Sequence, residues 1–314
     1  MDSSKQEIAH DFSPFFIVYK DSRVVQLKVP SSLDPKTNVE SKDVVYSPHE
    51  NGLSARLYIP RSTHQNQKLP LLVYFHGGCF CIESAFSPTY HNYLNSLVAE
   101  ANVIAVSVEY RQAPENPVPC PHDDSWTALK WVASHFNGQG PEDWLNRHAD
   151  FQRVFLVGDS AGANIAHRMG IKHGLDKLEG ANIAGIILCQ PYFLGEEPVG
   201  DETNHINQRE KLQGLWRFTC PSTSGCDDPW ISPGFDPNLA SLGCTKVLVF
   251  VAEKDFLRAR GVYYTEKLKE SGWDGDLQVV ESKGEDHIFH LINPTCENAV
   301  VMLKKIVAFI NQLN

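Results

Sequence analysis

The chain has 314 residues and a formal net charge of −10 at pH 7. This excess of negative charge argues against a nucleic-acid partner, because phosphate binding needs a basic face, and it gives no reason to expect an anionic membrane surface as a partner. The length is sufficient for one large α/β domain with a substantial core.

No apolar run near the amino terminus has the length of a signal-peptide core, and no later run approaches the roughly 20 apolar residues of a membrane-spanning helix. The eight cysteines are scattered through apolar strands and loops. This scatter favours reduced, buried thiols over the two alternatives, a Cys220–Cys226 disulfide and a zinc site at Cys79 and Cys81. We therefore expect a cytoplasmic protein with no metal and no cofactor.

The amino-terminal segment, residues 1 to about 40, is rich in aromatic and apolar side chains. One interpretation is an arm that packs on the body of the protein. The other is a cap that places Phe15 and Phe16 over a pocket. Two antiparallel strands are predicted next, at residues 41–46 and 53–59, because turn residues separate them.

A continuous apolar run at residues 69–75 predicts a buried strand, which ends in His76-Gly77-Gly78-Cys79-Phe80. Consecutive glycines at a strand end let backbone N–H groups face one point, as a tetrahedral oxyanion requires. We therefore predict that Gly77 and Gly78 are oxyanion donors. The alternative is a structural glycine turn, and we expect His76 to brace this loop.

Helical and strand patterns alternate after this loop. They predict strands at 103–110, 155–159, 183–189, 247–252 and 277–281, and helices at 90–101, 125–136, 208–219, 258–271 and 296–313. The second of these helices is predicted to be capped by Asp123 or Asp124, and residues 138–150 are predicted to form a loop. The last is predicted to bury Val300, Leu303, Ile306, Val307 and Ile310.

This alternation is typical of an α/β fold with one mostly parallel sheet and helices on both faces. We predict a single domain over residues 1–314. The polar, turn-rich stretch at about 195–228 interrupts the pattern after a sheet strand, and we predict that it forms a lid.

Ser160 stands in a Gly-x-Ser-x-Gly turn, Gly158-Asp159-Ser160-Ala161-Gly162, between the strand at 155–159 and a helical run to Met169. A serine at such a turn projects its hydroxyl from the sheet, and the residues two before and two after it must be small. We predict that Ser160 is a nucleophile. The helix that follows would supply the Ala161 N–H as a third oxyanion donor.

A serine nucleophile needs an imidazole to take its proton and a carboxylate to orient the imidazole. Asp255 follows one predicted strand and His287 follows the next, so both lie at the same edge of the sheet as Ser160. We predict that Ser160, His287 and Asp255 form a catalytic triad.

Other residues near these positions are alternatives. Glu253 is an alternative acid, His290 an alternative base, and Asp286 adjoins His287 too closely to bond easily with its ring. A metal site built from Glu285, Asp286, His287 and His290 is disfavoured because no zinc spacing is present.

Four separated motifs together resemble the plant carboxylesterase family, a hormone-sensitive-lipase-like group of α/β-hydrolases. They are His76-Gly77-Gly78-Cys79-Phe80, Tyr110-Arg111-Gln112-Ala113-Pro114-Glu115, Gly158-Asp159-Ser160-Ala161-Gly162-Ala163-Asn164 and Gly284-Glu285-Asp286-His287. The similarity spans the chain from Asp11 to the last helix. It implies an α/β-hydrolase fold with an amino-terminal cap, and serine esterase activity on carboxylic esters.

Two groups of relatives depart from hydrolysis. Gibberellin receptors resemble this family but lack the catalytic histidine, and 2-hydroxyisoflavanone dehydratases resemble it with a threonine at the nucleophile position. This chain keeps Ser160 and His287, whereas Cys79 replaces the small residue usual at its position and so affects the pocket's shape.

We therefore expect a carboxylesterase that hydrolyses a small-molecule ester. The apolar residues Phe80, Ile82, Trp216, Phe256 and Ile288 suggest an apolar pocket. A small-molecule receptor and a lyase acting on a specialised metabolite are the alternatives.

Overall fold

The computed structural model describes residues 8–12, 16–20, 24–47, 52–65 and 67–312, which contain twelve strands and eight α-helices. The strands are β1 (Ile8–Phe12), β2 (Phe16–Tyr19), β3 (Val24–Gln26), β4 (Leu33–Asp34), β5 (Val39–Ser47), β6 (Leu53–Pro60), β7 (Leu69–Phe75), β8 (Ile104–Glu109), β9 (Ala149–Asp159), β10 (Ile183–Cys189), β11 (Lys246–Ala252) and β12 (Asp276–Ser282). The helices are α1 (Pro88–Ala101), α2 (Cys120–Ala133), α3 (Asp143–His148), α4 (Ala161–Leu175), α5 (Ile206–Thr219), α6 (Arg258–Glu270), α7 (Phe289–Ile292) and α8 (Glu297–Asn311).

A nine-stranded sheet forms the centre of the molecule, in the order β12-β11-β10-β9-β7-β8-β6-β5-β4. The strands from β12 to β8 are parallel, whereas β6, β5 and β4 join antiparallel. β7 and β11 are buried along their whole length, which explains their continuous apolar sequences. The predicted mostly parallel sheet is confirmed.

Helices cover both faces of this sheet, each over its own apolar cluster. On one face α2 and α4 contribute Leu129, Val132, Ile165 and Met169 among others. On the other face α1 and α8 pack together through residues such as Leu97 and Ile306. Because every parallel strand points the same way, the loops after β7, β9, β11 and β12 meet at one edge of the sheet.

The region before the serine strand differs from the prediction in two places. α2 begins at Cys120, not at residue 125, and Pro119 occupies the cap position. Asp124 therefore lies inside the helix, where its carboxylate accepts hydrogen bonds from Arg111. The predicted loop at 138–150 contains the one-and-a-half-turn helix α3, whose first turn is capped by the Glu142 side chain.

The carboxy-terminal helix buries a face that is rotated from the predicted one. Its buried residues are Ala299, Met302, Ile306, Phe309 and Ile310. Val300 is 39% exposed, so its predicted burial is wrong. Leu303 and Val307 are partly buried at the edge of this stripe. The buried residues follow the helical repeat from Ala299, one position before Val300. The face is therefore rotated by less than the roughly 100° between successive residues, and it keeps Ile306 and Ile310.

The amino-terminal strands β1, β2 and β3 form a separate antiparallel sheet. The prediction for Phe15 falls outside the described residues, and of Phe16 the structure describes only the backbone, in β2. Over the described ranges, no helix has the length and apolar character needed to span a membrane.

Candidate active site

Ser160 occupies the sharp turn between β9 and α4, with a φ of 50° that side-chain-bearing residues rarely adopt. The turn brings neighbouring backbones into close approach. A Cβ atom on Gly158 would overlap the backbone of Gly162, and a Cβ atom on Gly162 would overlap the carbonyl oxygen of Phe75. The two glycines are therefore a steric requirement of the turn.

The structure brings Ser160, His287 and Asp255 together in one hydrogen-bonded chain. His287 Nε2 lies 3.0 Å from Ser160 Oγ, and His287 Nδ1 lies 2.8 Å from Asp255 Oδ2. Asp255 Oδ1 also accepts a bond of 2.9 Å from the Leu257 N–H, which fixes the carboxylate plane. With the Nδ1 proton donated to Asp255, Nε2 is left to accept the serine proton.

The alternative acids and bases have other contacts. Glu253 accepts a hydrogen bond from the Gly284 N–H at 2.7 Å and pairs with Lys283 at 3.3 Å. Asp286 accepts from the backbone N–H of His287, not from its ring. His290 is 2% exposed, and neither of its ring nitrogens bonds to any group in the described part of the chain. None of these three side chains bonds to Ser160 or to the His287 ring.

His76 also lies outside this chain. It is fully buried and stacks on Tyr110, with ring centroids 4.2 Å apart. The Tyr110 hydroxyl donates to the His76 carbonyl oxygen at 2.7 Å. This agrees with the predicted bracing role for His76.

Burial lowers the pKa of the His287 ring, but the hydrogen bond and charge of Asp255 outweigh it, so that the pKa lies above its ordinary value of 6.5. A base must be neutral to accept a proton. We therefore expect kcat/KM for an ester to fall with decreasing pH through a midpoint above 6.5. In Asp255→Asn, the midpoint is expected to move lower, because the partner that raises the pKa is lost. A wild-type midpoint below 6.5 would contradict this reasoning.

The loop after β7 departs from the prediction at Gly77. The Gly77 N–H donates to Tyr90 Oη at 2.7 Å and to Asp159 Oδ1 at 3.2 Å, so it is engaged inside the protein. It is therefore not free to bind an oxyanion. The N–H groups of Gly78, Cys79 and Ala161 have no acceptor in the described part of the chain.

Cys79 is a candidate donor that the sequence analysis missed. Gly78 and Cys79 both have positive φ angles, 105° and 52°, and Cys79 lines the same cavity as Ser160. Any residue can donate through its backbone N–H, but the prediction considered only glycines in this loop and so did not include Cys79. The signal that was available is its place as the third residue after His76 in a His-Gly-Gly-x loop.

Asp159 is a second residue that the sequence analysis did not assign. Its fully buried carboxylate accepts hydrogen bonds of 2.8 Å from the hydroxyls of both Tyr74 and Tyr90. It also accepts the hydrogen bond from the Gly77 N–H. Burial raises the pKa of Asp159 to about 6, and the two tyrosine hydrogen bonds limit this rise. The residue next to Ser160 thus ties the serine turn to the loop after β7.

Two buried tyrosines offer a matched test of this tie. Tyr90→Phe removes the hydroxyl that bonds both Gly77 and Asp159, whereas Tyr74→Phe removes only a bond to Asp159. We expect Tyr90→Phe to lower kcat for an ester roughly 10- to 100-fold, less than the loss of a whole oxyanion donor, because Gly77 loses the shorter of its two hydrogen bonds. Tyr74→Phe should have a smaller effect at similar stability. Equal losses of kcat in the two variants would refute the proposed role of the Tyr90 hydroxyl in positioning the loop after β7.

Ser160 opens into a cavity of about 240 Å³. Its walls are Cys79, Tyr192, Gln208, Leu212, Lys254, Asp255, Phe256, Leu257, Asp286 and His287. Of the predicted apolar lining, Phe256 takes part, but Phe80 and Trp216 are fully buried and contact each other in the core. Ile82 and Ile288 are not among the walls either. The sequence marks all of these as apolar without separating core from cavity.

The Cys79 thiol does not compete with Ser160 as a nucleophile at this site. Burial raises the pKa of Cys79 to about 12, which keeps the thiol protonated and a poor nucleophile. All eight cysteines are free, so Cys220 and Cys226 form no disulfide. Across the described ranges, no group of three or more His, Cys, Asp or Glu side chains is placed to hold a metal ion.

Comparison with known proteins places the chain in a family. A model of the alpha/beta hydrolase fold matches residues 72–291. Probable carboxylesterase 13 of Arabidopsis thaliana is 51% identical over 323 residues, covering 97% of this chain and 98% of that protein. The 2-hydroxyisoflavanone dehydratase of Glycine max is 42% identical over 317 residues, covering 97% of this chain and 99% of that protein.

Solved structures agree. A hyperthermophilic esterase from the archaeon Pyrobaculum calidifontis matches with a TM-score of 0.71 at 28% identity, covering 86% of this chain and 85% of that one. The chain therefore belongs to the plant carboxylesterase family of α/β-hydrolases.

Proposed function

We propose that the protein is a serine carboxylesterase that hydrolyses small carboxylic esters through an acyl-enzyme on Ser160. The observation that carries this proposal is the continuous hydrogen-bonded chain from Asp255 through His287 to Ser160 at the wall of a cavity. The names of the relatives, which include carboxylesterases at about half identity over nearly the whole chain, support it.

The proposed reaction has two half-reactions. Ser160 Oγ attacks the ester carbonyl carbon while His287 Nε2 takes its proton, and the carbonyl oxygen becomes an oxyanion. The N–H groups of Gly78, Cys79 and Ala161 donate to this oxyanion. As the carbon–oxygen bond to the alcohol breaks, His287 gives its proton to the departing alkoxide oxygen, which leaves the acyl group on Ser160.

Water then hydrolyses the acyl-enzyme. His287 takes a proton from the attacking water, a second oxyanion forms in the same place, and its collapse breaks the bond to Ser160 Oγ, which recovers its proton from His287. Asp255 stabilises the imidazolium in both halves and keeps Nε2 directed at the serine. The products are the alcohol and the carboxylic acid.

We also propose that residues 195–228 act as a lid on a single domain. α5 in this segment contributes Gln208 and Leu212 to the cavity wall. The segment is anchored to α6 by a bidentate ion pair, in which Arg260 Nε and Nη2 lie 2.8 Å and 2.7 Å from the Glu202 carboxylate oxygens. Both side chains are at most 3% exposed, so the loss of either partner would leave the other charge buried and uncompensated at this end of the lid.

The cavity limits the esters that fit. Its volume of about 240 Å³ and the apolar walls at Leu212, Phe256 and Leu257 suit a short apolar acyl or alcohol group. We therefore expect p-nitrophenyl esters of short acids to be hydrolysed faster than those of long acids.

A dehydratase is the second candidate, because the 2-hydroxyisoflavanone dehydratase of Glycine max is 42% identical. Two assays separate the candidates. An esterase should react covalently with a fluorophosphonate at Ser160 and release p-nitrophenol from short esters, whereas a dehydratase should convert 2-hydroxyisoflavanone without ester turnover. Ligand binding with neither reaction would indicate a receptor and refute the esterase proposal.

We further propose a reducing compartment, the cytoplasm, as the place of action, since all eight cysteines are free thiols. A fluorescent fusion of the full chain that accumulates in an oxidising compartment would refute this proposal.

A further inference from the structure

A second cavity lies away from Ser160, where α1 and α8 pack on the sheet. Its volume is about 590 Å³, against about 240 Å³ for the cavity at the serine, and the two share no wall residue. Its walls come from α1, α7, α8 and the turn at Lys36 and Thr37. A volume of this size is typical of small-molecule sites.

Several residues that line this cavity carry buried polar atoms without partners among the described residues. His290 is 2% exposed and Tyr93 is 8% exposed, and their rings meet edge to face with centroids 5.3 Å apart. In the part of the chain that the structure describes, neither ring nitrogen of His290 has a hydrogen-bond partner, and neither do Tyr93 Oη and Thr89 Oγ1. Buried polar atoms are rarely left unbonded, since each costs free energy, so four of them at one cavity require an explanation.

The chemistry of these groups selects an uncharged ligand. Burial lowers the pKa of His290 to about 3, so the ring is neutral and presents one donor and one acceptor. The hydroxyls of Tyr93 and Thr89 can each donate or accept. Leu291 and Leu303 supply apolar wall. The two charged wall residues, Lys36 and Glu100, are exposed. A charged group at the buried His290 and Tyr93 would therefore lose its hydration without meeting a buried opposite charge.

We propose that this cavity is a second binding site, which takes an uncharged apolar molecule carrying a hydroxyl or carbonyl group. The oxygen of the ligand would bond with His290, Tyr93 or Thr89, after side-chain rotations that turn their buried polar atoms to the cavity. Its apolar body would pack against the leucines of α7 and α8.

The second cavity is linked to His287 through the short helix α7. α7 begins two residues after His287 and carries both His290 and Leu291 into the wall of the cavity. Ile288, which lies between His287 and the start of α7, has a φ of 49°, which is unfavourable for a β-branched residue. A ligand bonded to His290 would contact the helix that follows this strained residue.

The test is a titration of the full chain with 2-naphthol, a neutral alcohol, followed by its fluorescence and by calorimetry. Two tryptophan substitutions distinguish the cavities, because each replaces a partly exposed helical residue in one wall. Ser96→Trp fills the second cavity and Leu212→Trp fills the cavity at Ser160. We expect one-to-one binding in Leu212→Trp as in the wild type, and at least tenfold weaker binding in Ser96→Trp.

Tyr93→Phe supplies a test that does not fill the cavity. It keeps the ring and removes the hydroxyl, so binding of 2-naphthol should weaken about tenfold while that of naphthalene, which has no hydroxyl, should not change. Thermal unfolding of each variant checks that it is folded. Absence of saturable binding, loss of binding in Leu212→Trp instead of Ser96→Trp, or equal effects of Tyr93→Phe on both probes would overturn the proposal.

Discussion

Ser160→Ala is expected to lower kcat for p-nitrophenyl acetate by on the order of a millionfold, because the substitution removes the atom that attacks the ester. The oxyanion donors remain, so a small rate above that of water should persist. The measurement is a steady-state assay with purified protein, and Ser62→Ala, at an exposed serine in the turn after β6, is the control. The control should keep wild-type kcat.

The same variant should lose labelling by a fluorophosphonate. Circular dichroism establishes that the fold is retained, which matters because Ser160 sits at a strained turn. Wild-type turnover in Ser160→Ala would mean that another group carries the reaction. The assignment of the nucleophile would then be wrong.

Asp255→Asn is expected to lower kcat by about ten-thousandfold. Asparagine keeps the size of the side chain, but its amide can donate a hydrogen bond to Nδ1. The Nδ1–H of His287 now donates to Asp255 Oδ2 over 2.8 Å, and reversal of that bond would place the proton on Nε2. The ring could then no longer accept the serine proton.

Glu253→Gln is the matched control, since Glu253 also follows β11 and was the alternative acid. Its carboxylate faces Lys283 and the Gly284 N–H, so we expect only a small change in kcat. Steady-state assays of both variants over a range of pH provide the comparison. A loss in Glu253→Gln as large as that in Asp255→Asn would contradict the assignment of the acid.

The positions of the three proposed catalytic side chains followed from the sequence because parallel strands align their carboxyl ends. The runs at β9 and β11 are apolar, and β12 contains Leu277, Val279 and Val280, so all three were recognised as strands. Each strand ends within five residues of a residue of chemical interest. Strand existence was therefore sufficient to place Ser160, Asp255 and His287 at one edge.

The directions of the backbone N–H groups in the loop after β7 could not be predicted from the sequence. The sequence identifies Gly77 and Gly78 as flexible residues, but it does not give the direction of each N–H. That direction depends on Tyr90 and Asp159, which hold the Gly77 N–H and come from α1 and β9. Two elements that are distant in the sequence decide which amides remain free.

The sequence also failed to separate core residues from cavity residues, because that distinction depends on contacts between distant elements. Phe80 and Trp216 look like pocket residues in a sequence, yet they contact each other in the core. The start of α2 was missed because Pro119 takes a cap position that the rules usually give to Asp or Ser. The cavity between α1, α7 and α8 also requires three-dimensional contacts that no sequence pattern encodes.

The most direct test of the central claim is to trap the covalent intermediate. The protein is mixed with p-nitrophenyl acetate, quenched in acid within milliseconds, and digested for mass spectrometry. We predict an acetyl group on the peptide that contains Ser160, formed with a burst of p-nitrophenol and absent from Ser160→Ala. Steady ester turnover with the acetyl group on another residue, or with no covalent acetyl group at any time, would contradict the account.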